Sequence, residues 1–406
     1  MGIFLLRSHH LIVGCLLACF SPIPIYPLAF AATAFVLLLQ STNIAFPTKK
    51  TFAWMILLVV FLLNMFFVHF IRSKPFISAE TTKPIINLIF LAAIWIWVDS
   101  NVIKPPVISA LAKGLALTIA LSALQVLLNV ARTNLWLAPL IGVKNSVDAY
   151  KIVEPGVYWG IPEKNIWATK IIFTQILLLF MLSRKMIKIN PYMRVLIYIS
   201  SAISTLYTFS RTAQGVFIIF IFWEFFLRKI SLKLIVRKPL GLVASGMALG
   251  GFSVFAYNKL FHFTLKPGDG MESRVRMWTY LWYETNWRDT LLGKGILYAK
   301  EFLPKYRMVE SNFHNAFLNT LMDFGLVGLI SLIAIFTLSF RKGTYSLFVY
   351  LIACMSFQYL GYDNDIVIYL CIALILGKYL LSKSASHESR DHKSMVFAVP
   401  STMESA

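Results

Sequence analysis

The stretch Ser311-Asn-Phe-His314-Asn315-Ala-Phe-Leu-Asn-Thr-Leu-Met-Asp-Phe-Gly325-Leu-Val-Gly328 sets a histidine and an asparagine at the mouth of an apolar segment. It follows directly on the one long polar loop of the chain, which also carries Arg274, Arg276, Trp278, Trp282 and Trp287. Ionisable side chains are costly at a membrane boundary and tend to mark function. The stretch therefore predicts a membrane-spanning helix from about residue 316, with a site facing water on one side of a bilayer.

The rest of the chain supports a membrane setting. It has 406 residues, 58% of them hydrophobic and only 14% charged, with a mean hydropathy of +0.71. Apolar runs long enough to cross about 30 Å of hydrocarbon recur throughout. Backbone in lipid must satisfy its own hydrogen bonds, so continuous apolar runs imply helices, whereas a barrel would show short alternating segments. The expected fold is an all-α, polytopic bundle of about twelve transmembrane helices. The candidate spans are 4–20, 26–41, 52–70, 85–99, 107–130, 166–183, 192–209, 213–227, 240–257, 316–340, 344–360 and 366–382. Pro22, Pro24 and Pro27 interrupt the first pair, and 85–99 is short. Further spans follow the first apolar stretch, which has no clear small-residue cleavage site, so no cleavable signal peptide is expected.

The formal charge of +20 would point a soluble protein to nucleic acid. In a membrane protein it is better explained by topology signals and snorkelling anchors, with a share left to attract anionic lipid or an anionic substrate. No nucleic-acid partner is expected. Lys49-Lys50, Arg184-Lys185 with Lys188, the 228–238 group, Arg341-Lys342 and Lys383 all fall on one side when the spans are counted. That side and both termini are expected to be cytoplasmic. The opposite face receives residues 131–165, the tip Ser210-Arg211-Thr212, the long loop 258–315 between the ninth and tenth spans, and Gly361-Tyr-Asp363-Asn364-Asp365. The chain thus divides into an N-terminal bundle (1–257), the loop with an amphipathic helix (258–315), three C-terminal spans (316–383) and a polar tail (384–406), expected to be disordered and cytoplasmic.

Each candidate site residue has a plain reading beside a chemical one. Arg211 is either a headgroup-layer arginine at a hairpin tip or a guanidinium able to fork onto a phosphate. Arg274 and Trp278, four residues apart, share a helix face that Trp282 continues. That pattern suits a helix lying on the membrane and equally a site where arginines hold an anion and aromatics stack on sugar or lipid. His314 can accept a hydroxyl proton, and Asn315 either orients it or caps the following helix. Asp363-Asn364-Asp365 has the spacing of acidic metal ligands in some glycosyltransferases, but the signal is short, and capping of the last span is the favoured reading. Gly293-Lys-Gly295 lacks the phosphate-loop pattern. Cys15, Cys19, Cys354 and Cys371 lie in apolar segments without metal-ligand spacing, so neither a metal nor a cofactor is expected.

In this order the residues resemble the bacterial O-antigen ligase and O-antigen polymerase superfamily. The matching elements are Ser210-Arg211-Thr212, an Arg-x-x-x-Trp from Arg274 to Trp278, and a Leu-Leu-Gly-x-Gly from Leu291 to Gly295. A His-Asn-x-x-Leu from His314 to Leu318 and a Gly-Leu-x-Gly-Leu-Ile from Gly325 to Ile330 follow. Gly160-Ile-Pro162-Glu-Lys-Asn165 weakly resembles the Asn-Pro-Asn stretch of that family, with its Pro-Asn replaced. The resemblance covers about residues 160–340. It implies an inner-membrane enzyme that transfers glycan from undecaprenyl pyrophosphate to an acceptor hydroxyl at the periplasmic face, without a metal. The acceptor is the lipid A core in ligases and a growing glycan in polymerases, and the motifs do not separate the two. A chain-length regulator protein is a further possible partner. His314 would then be the base, Arg211 and Arg274 (with Arg276 as a substitute) would bind pyrophosphate, and Asn315, Trp278 and Trp282 would orient or bind substrate. Two other readings are a transporter or flippase for a lipid-linked anionic sugar, which predicts mid-span charges and broken helices, and a non-catalytic assembly protein.

Overall fold

The structure, a computed structural model, describes residues 8–21, 24–41, 48–74, 78–137, 164–208, 210–226, 270–308, 312–341, 343–356 and 362–396. Among these every regular element is helical. In chain order the helices are α1 (Ser8–Ala18), α2 (Tyr26–Gln40), α3 (Lys49–Ile71), α4 (Ala79–Ser100), α5 (Pro105–Thr133), α6 (Lys164–Ser183), α7 (Pro191–Leu206) and α8 (Arg211–Ile221), which runs into one π-helical turn, Phe222–Phe226. After residues 227–269 come α9 (Gly270–Glu284), α10 (Trp287–Leu292), α11 (Tyr298–Phe302), α12 (Ala316–Ser339), α13 (Tyr345–Met355) and α14 (Asn364–Val396).

Local chemistry sets the boundaries. Thr48 accepts from the Thr51 amide and caps α3. Ser78 and Thr81 form a reciprocal capping box that starts α4 well before residue 85, so the span that looks short in the sequence is not. Asn190 with Pro191 starts α7, and Asn134 ends α5 in the left-handed conformation.

Among the described residues six helices are long and apolar enough to cross a membrane: α3, α4 from Thr81, α5, α6 from Ile166, α12, and α14 as far as Lys383. The other expected spans are shorter helices among the described residues or lie outside them. α1, α8 and α13 have 11 residues each, about 16 Å at 1.5 Å per residue. The expected span 240–257 lies outside the described residues. The tail is also corrected in part, since α14 continues through residues 384–396. That segment contains neither glycine nor proline, so nothing in the backbone stops the helix.

The long helices show why they suit lipid. On α3, Trp54, Leu58, Phe61, Met65 and Val68 are buried at steps of three and four, while Phe52, Ile56, Leu63, Phe67 and Phe70 are exposed. A helix apolar on both faces belongs in hydrocarbon. α3 and α12 run antiparallel: Trp54 Nε1 donates to the Ile335 carbonyl at 3.2 Å and Asn64 Nδ2 to the Phe324 carbonyl at 2.6 Å. Trp54 also stacks on Trp95 of α4, ring centroids 4.5 Å apart.

Ion pairs define the two ends. At one end Arg341 pairs with Asp99 at 2.5 Å and Lys50 donates to the Phe340 carbonyl at 3.2 Å. Arg184 meets Glu224 at 3.3 Å where α6 and the π-turn finish. At the other end Lys170 pairs with Asp365 at 3.1 Å, with both side chains at most 10% exposed, and donates to the Cys19 carbonyl at 2.7 Å. Asp365 therefore ties α14 to α6. Removing one member of a buried pair strands the other charge. Asp365→Ala should lower stability by about 3–5 kcal/mol, read as the loss of the folded fraction in detergent melts. The joint variant Lys170→Met/Asp365→Leu should recover most of that loss.

Candidate functional site

His314 stands at the entrance of α12 with φ +50°, in the left-handed region. A histidine there costs about 1–2 kcal/mol, so the surroundings must hold it. The peptide linking Phe313 to His314 is bonded at both its polar groups. Its carbonyl accepts from Trp278 Nε1 at 2.8 Å, and its N–H donates to Asn312 Oδ1 at 2.8 Å. Asn315 caps α12, accepting from the amides of Phe317 and Leu318 at 3.0 Å each, and its Nδ2 donates to the Ser356 carbonyl after α13 at 3.0 Å. The cap role expected for Asn315 is thus realised, and the same side chain ties α12 to α13.

Behind this entrance α12 is broken at Gly325 (φ +70°, ψ −172°). A kink removes intrahelical partners, and buried carbonyls need others. Three successive carbonyls find them. Met322 accepts from the Lys294 amide at 2.6 Å, Asp323 from the Gly295 amide at 2.9 Å, and Phe324 from Asn64 Nδ2. A Cβ on Gly325 would lie 2.2 Å from the Leu291 carbonyl, and one on Gly293 (φ +82°) 2.7 Å from the Asp323 carbonyl. The two glycine motifs at 291–295 and 325–328 are therefore two halves of one joint. The Asp323 side chain, 2% exposed, accepts from the Tyr298 amide at 3.0 Å and from the Tyr362 hydroxyl. Burial first, then the neighbouring Asp323, pushes the Tyr362 hydroxyl well above the usual tyrosine range, so it stays a donor.

The loop is fastened to α3 as well. Asp289 receives Arg72 at 3.2 Å and Lys294 at 2.7 Å, Arg72 Nε donates to the Gly293 carbonyl at 2.9 Å, and Lys74 pairs with Glu301 at 2.6 Å. Met277, Leu281, Ala299, Phe302, Leu303, Phe313 and Met322 form a small core beneath α9 and α11.

The sequence-predicted residues fall as follows. Arg274 and Trp278 share the inward side of α9; Arg274 is half-buried, one turn or about 6 Å along the axis from Trp278. Arg276 is exposed, since two residues turn a helix by about 200°. Trp282 is 83% exposed. It does not continue the Arg274–Trp278 face as the sequence predicts, because each four-residue step drifts about 40° around the helix. Trp278 spends its ring N–H on the loop backbone. Arg211 begins α8; its side chain, like residues 160–163 of the weak motif, lies outside the described residues. α8 packs on α13 through Phe220 and Tyr350, ring centroids 5.0 Å apart, and Asn315 bonds the far end of α13. The start of α8 therefore belongs to the His314 end. Among the described residues, no three His, Cys, Asp or Glu side chains gather as metal ligands. Sequence reading missed Asp323, Asn319 and Arg72; the one available signal was a lone acidic residue inside an apolar run.

These features define a multi-pass helical membrane protein with a polar site at one end, roofed by a docked loop. Residues 196–333 match the family model described as O-antigen ligase (Wzy_C). That span, from α7 into α12, contains His314, the three candidate arginines and both glycine motifs, and it supports a relation to the O-antigen ligase/polymerase superfamily. Members of this family are enzymes of glycosyltransferase type that act on lipid-linked glycan donors. A search of curated proteins finds no match.

Proposed function

We propose that the chain transfers a glycan from undecaprenyl pyrophosphate to an acceptor hydroxyl at the periplasmic face of the bacterial inner membrane, acting as an O-antigen ligase or a surface-polysaccharide polymerase. The observation that carries this reading is His314, held in a left-handed turn at the same end of the bundle as Arg274 and the start of α8, inside the family-matching segment. In the reaction, the acceptor hydroxyl gives its proton to the imidazole as its oxygen bonds to C1 of the donor sugar. The bond from C1 to the pyrophosphate oxygen breaks, and its electron pair leaves with the pyrophosphate. Arg211 and Arg274 neutralise the charge that grows there, which favours the transition state over the ground state. Arg276 substitutes for either, and Trp282, exposed on the same helix as Arg274, offers a ring for sugar. The leaving group is already activated, so neither a nucleotide nor a metal is needed.

The proposed topology has twelve spans. The loop 258–315 is periplasmic between the ninth (240–257) and tenth spans, and both termini are cytoplasmic. The gathering of Lys50, Arg184 and Arg341 away from His314 supports that orientation. A chain-length regulator is a proposed partner of the polymerase form.

The test deletes the gene in its host and restores wild type, His314→Ala, Arg211→Ala or Arg274→Ala, with surface polysaccharide resolved on gels. Variants made in normal amount should fail to complement. In the deletion strain, single repeats on lipid A core identify a polymerase, and bare core with accumulated lipid-linked polymer identifies a ligase. Full complementation by all three variants would refute the site and favour transport.

A further inference from the structure

Asn319 is 2% exposed, one turn inside α12, among apolar neighbours. An amide buried there is costly unless both its ends are bonded, and leucine would carry no such cost. Both ends are used, and both reach back across His314. Oδ1 accepts from the Phe313 N–H at 3.1 Å, and Nδ2 donates to the Asn315 carbonyl at 2.8 Å. Helix capping does not need this bracket, because Asn315 already caps α12. The Phe313 carbonyl is held independently from α9 by Trp278, which the same protein core keeps in place.

We propose that Asn319 is a positioning residue for His314, bracketing the backbone on either side of it while Trp278 holds the same loop from α9. The inference rests on His314 being the base. Its content is that the imidazole's aim is set by two separate elements, and that α9 connects this aim to Arg274 one turn away. Small misplacements of reacting groups are expensive: about 1 Å can cost on the order of a hundredfold in rate.

The experiment uses full-length protein in lipid vesicles, with the lipid-linked glycan that accumulates in the deletion strain as donor. Wild type, Asn319→Ala, Trp278→Phe and His314→Ala are compared. Trp278→Phe removes one N–H and keeps the ring, so it serves if Asn319→Ala does not fold. Each positioning variant should lower kcat on the order of 10- to 100-fold while the donor KM stays within about twofold, the signature of lost transition-state alignment. Unchanged kcat in the folded variants, or a rise in KM that accounts for the loss, overturns the proposal. Activity surviving in His314→Ala would instead sink the base assignment, leaving the two failures distinct.

Discussion

Replacing His314 by alanine is expected to cut glycan transfer by about a hundred- to ten-thousand-fold, with little loss of folded protein. The ring lies half-buried at the entrance of α12. The loop around it is held through backbone groups and through Asn312, Asn315, Asn319 and Trp278. Alanine keeps the Cβ that the left-handed backbone already accommodates and empties no core position. Donor binding should persist, because the pyrophosphate is assigned to the arginines. The measurement is initial transfer rate in vesicles, beside a thermal melt. A folded His314→Ala protein keeping more than a tenth of the wild-type rate would remove His314 from the role of base, since general-base catalysis is worth at least about a hundredfold.

Gly325→Ala is expected to be the most disruptive glycine-to-alanine change among the described residues. The new Cβ would sit 2.2 Å from the Leu291 carbonyl and 2.7 Å from its carbon, at a residue with φ +70°. Neither contact is with a flexible side-chain tip, so the backbone itself must move. Strain and overpacking together should cost at least about 3 kcal/mol. The damage should reach the loop, because Gly293 and Gly295 dock on the same kink. Residues 270–308 should become protease-sensitive and transfer should fall, although no group proposed to touch substrate has changed. Gly14→Ala is the control: nothing lies within 4 Å of a Cβ there, and alanine in a helix interior is favoured by up to about 1 kcal/mol. A Gly325→Ala protein with the melt and protease resistance of wild type would contradict the joint described above.

Much of the bundle was legible because burial in lipid needs only composition and run length. α3, α5, α6 and α12 lie close to the apolar runs that predict them. Cap residues sharpened some starts: Asn315 before α12 is one that the sequence announces. Length was less legible: α1, α8 and α13 are apolar but have 11 residues each among those described. The sequence misled where a polar composition suggested a disordered tail at 384–396, which helix-compatible residues continue as helix.

What the sequence by itself determined is the lipid-facing character of the helices and the set of polar residues grouped at one end. Hydrophobic periodicity, terminal caps and charge placement are local properties, readable a few residues at a time. Tertiary structure alone decided that Leu291–Gly295 fits the Gly325 kink, that Trp278 serves the Phe313 carbonyl, that Asp365 answers Lys170, and that Trp282 turns outward. Each depends on a carbonyl, a charge or a close backbone approach supplied by a distant segment. The need for a partner is written in the residue, but which group meets it emerges only when the helices pack.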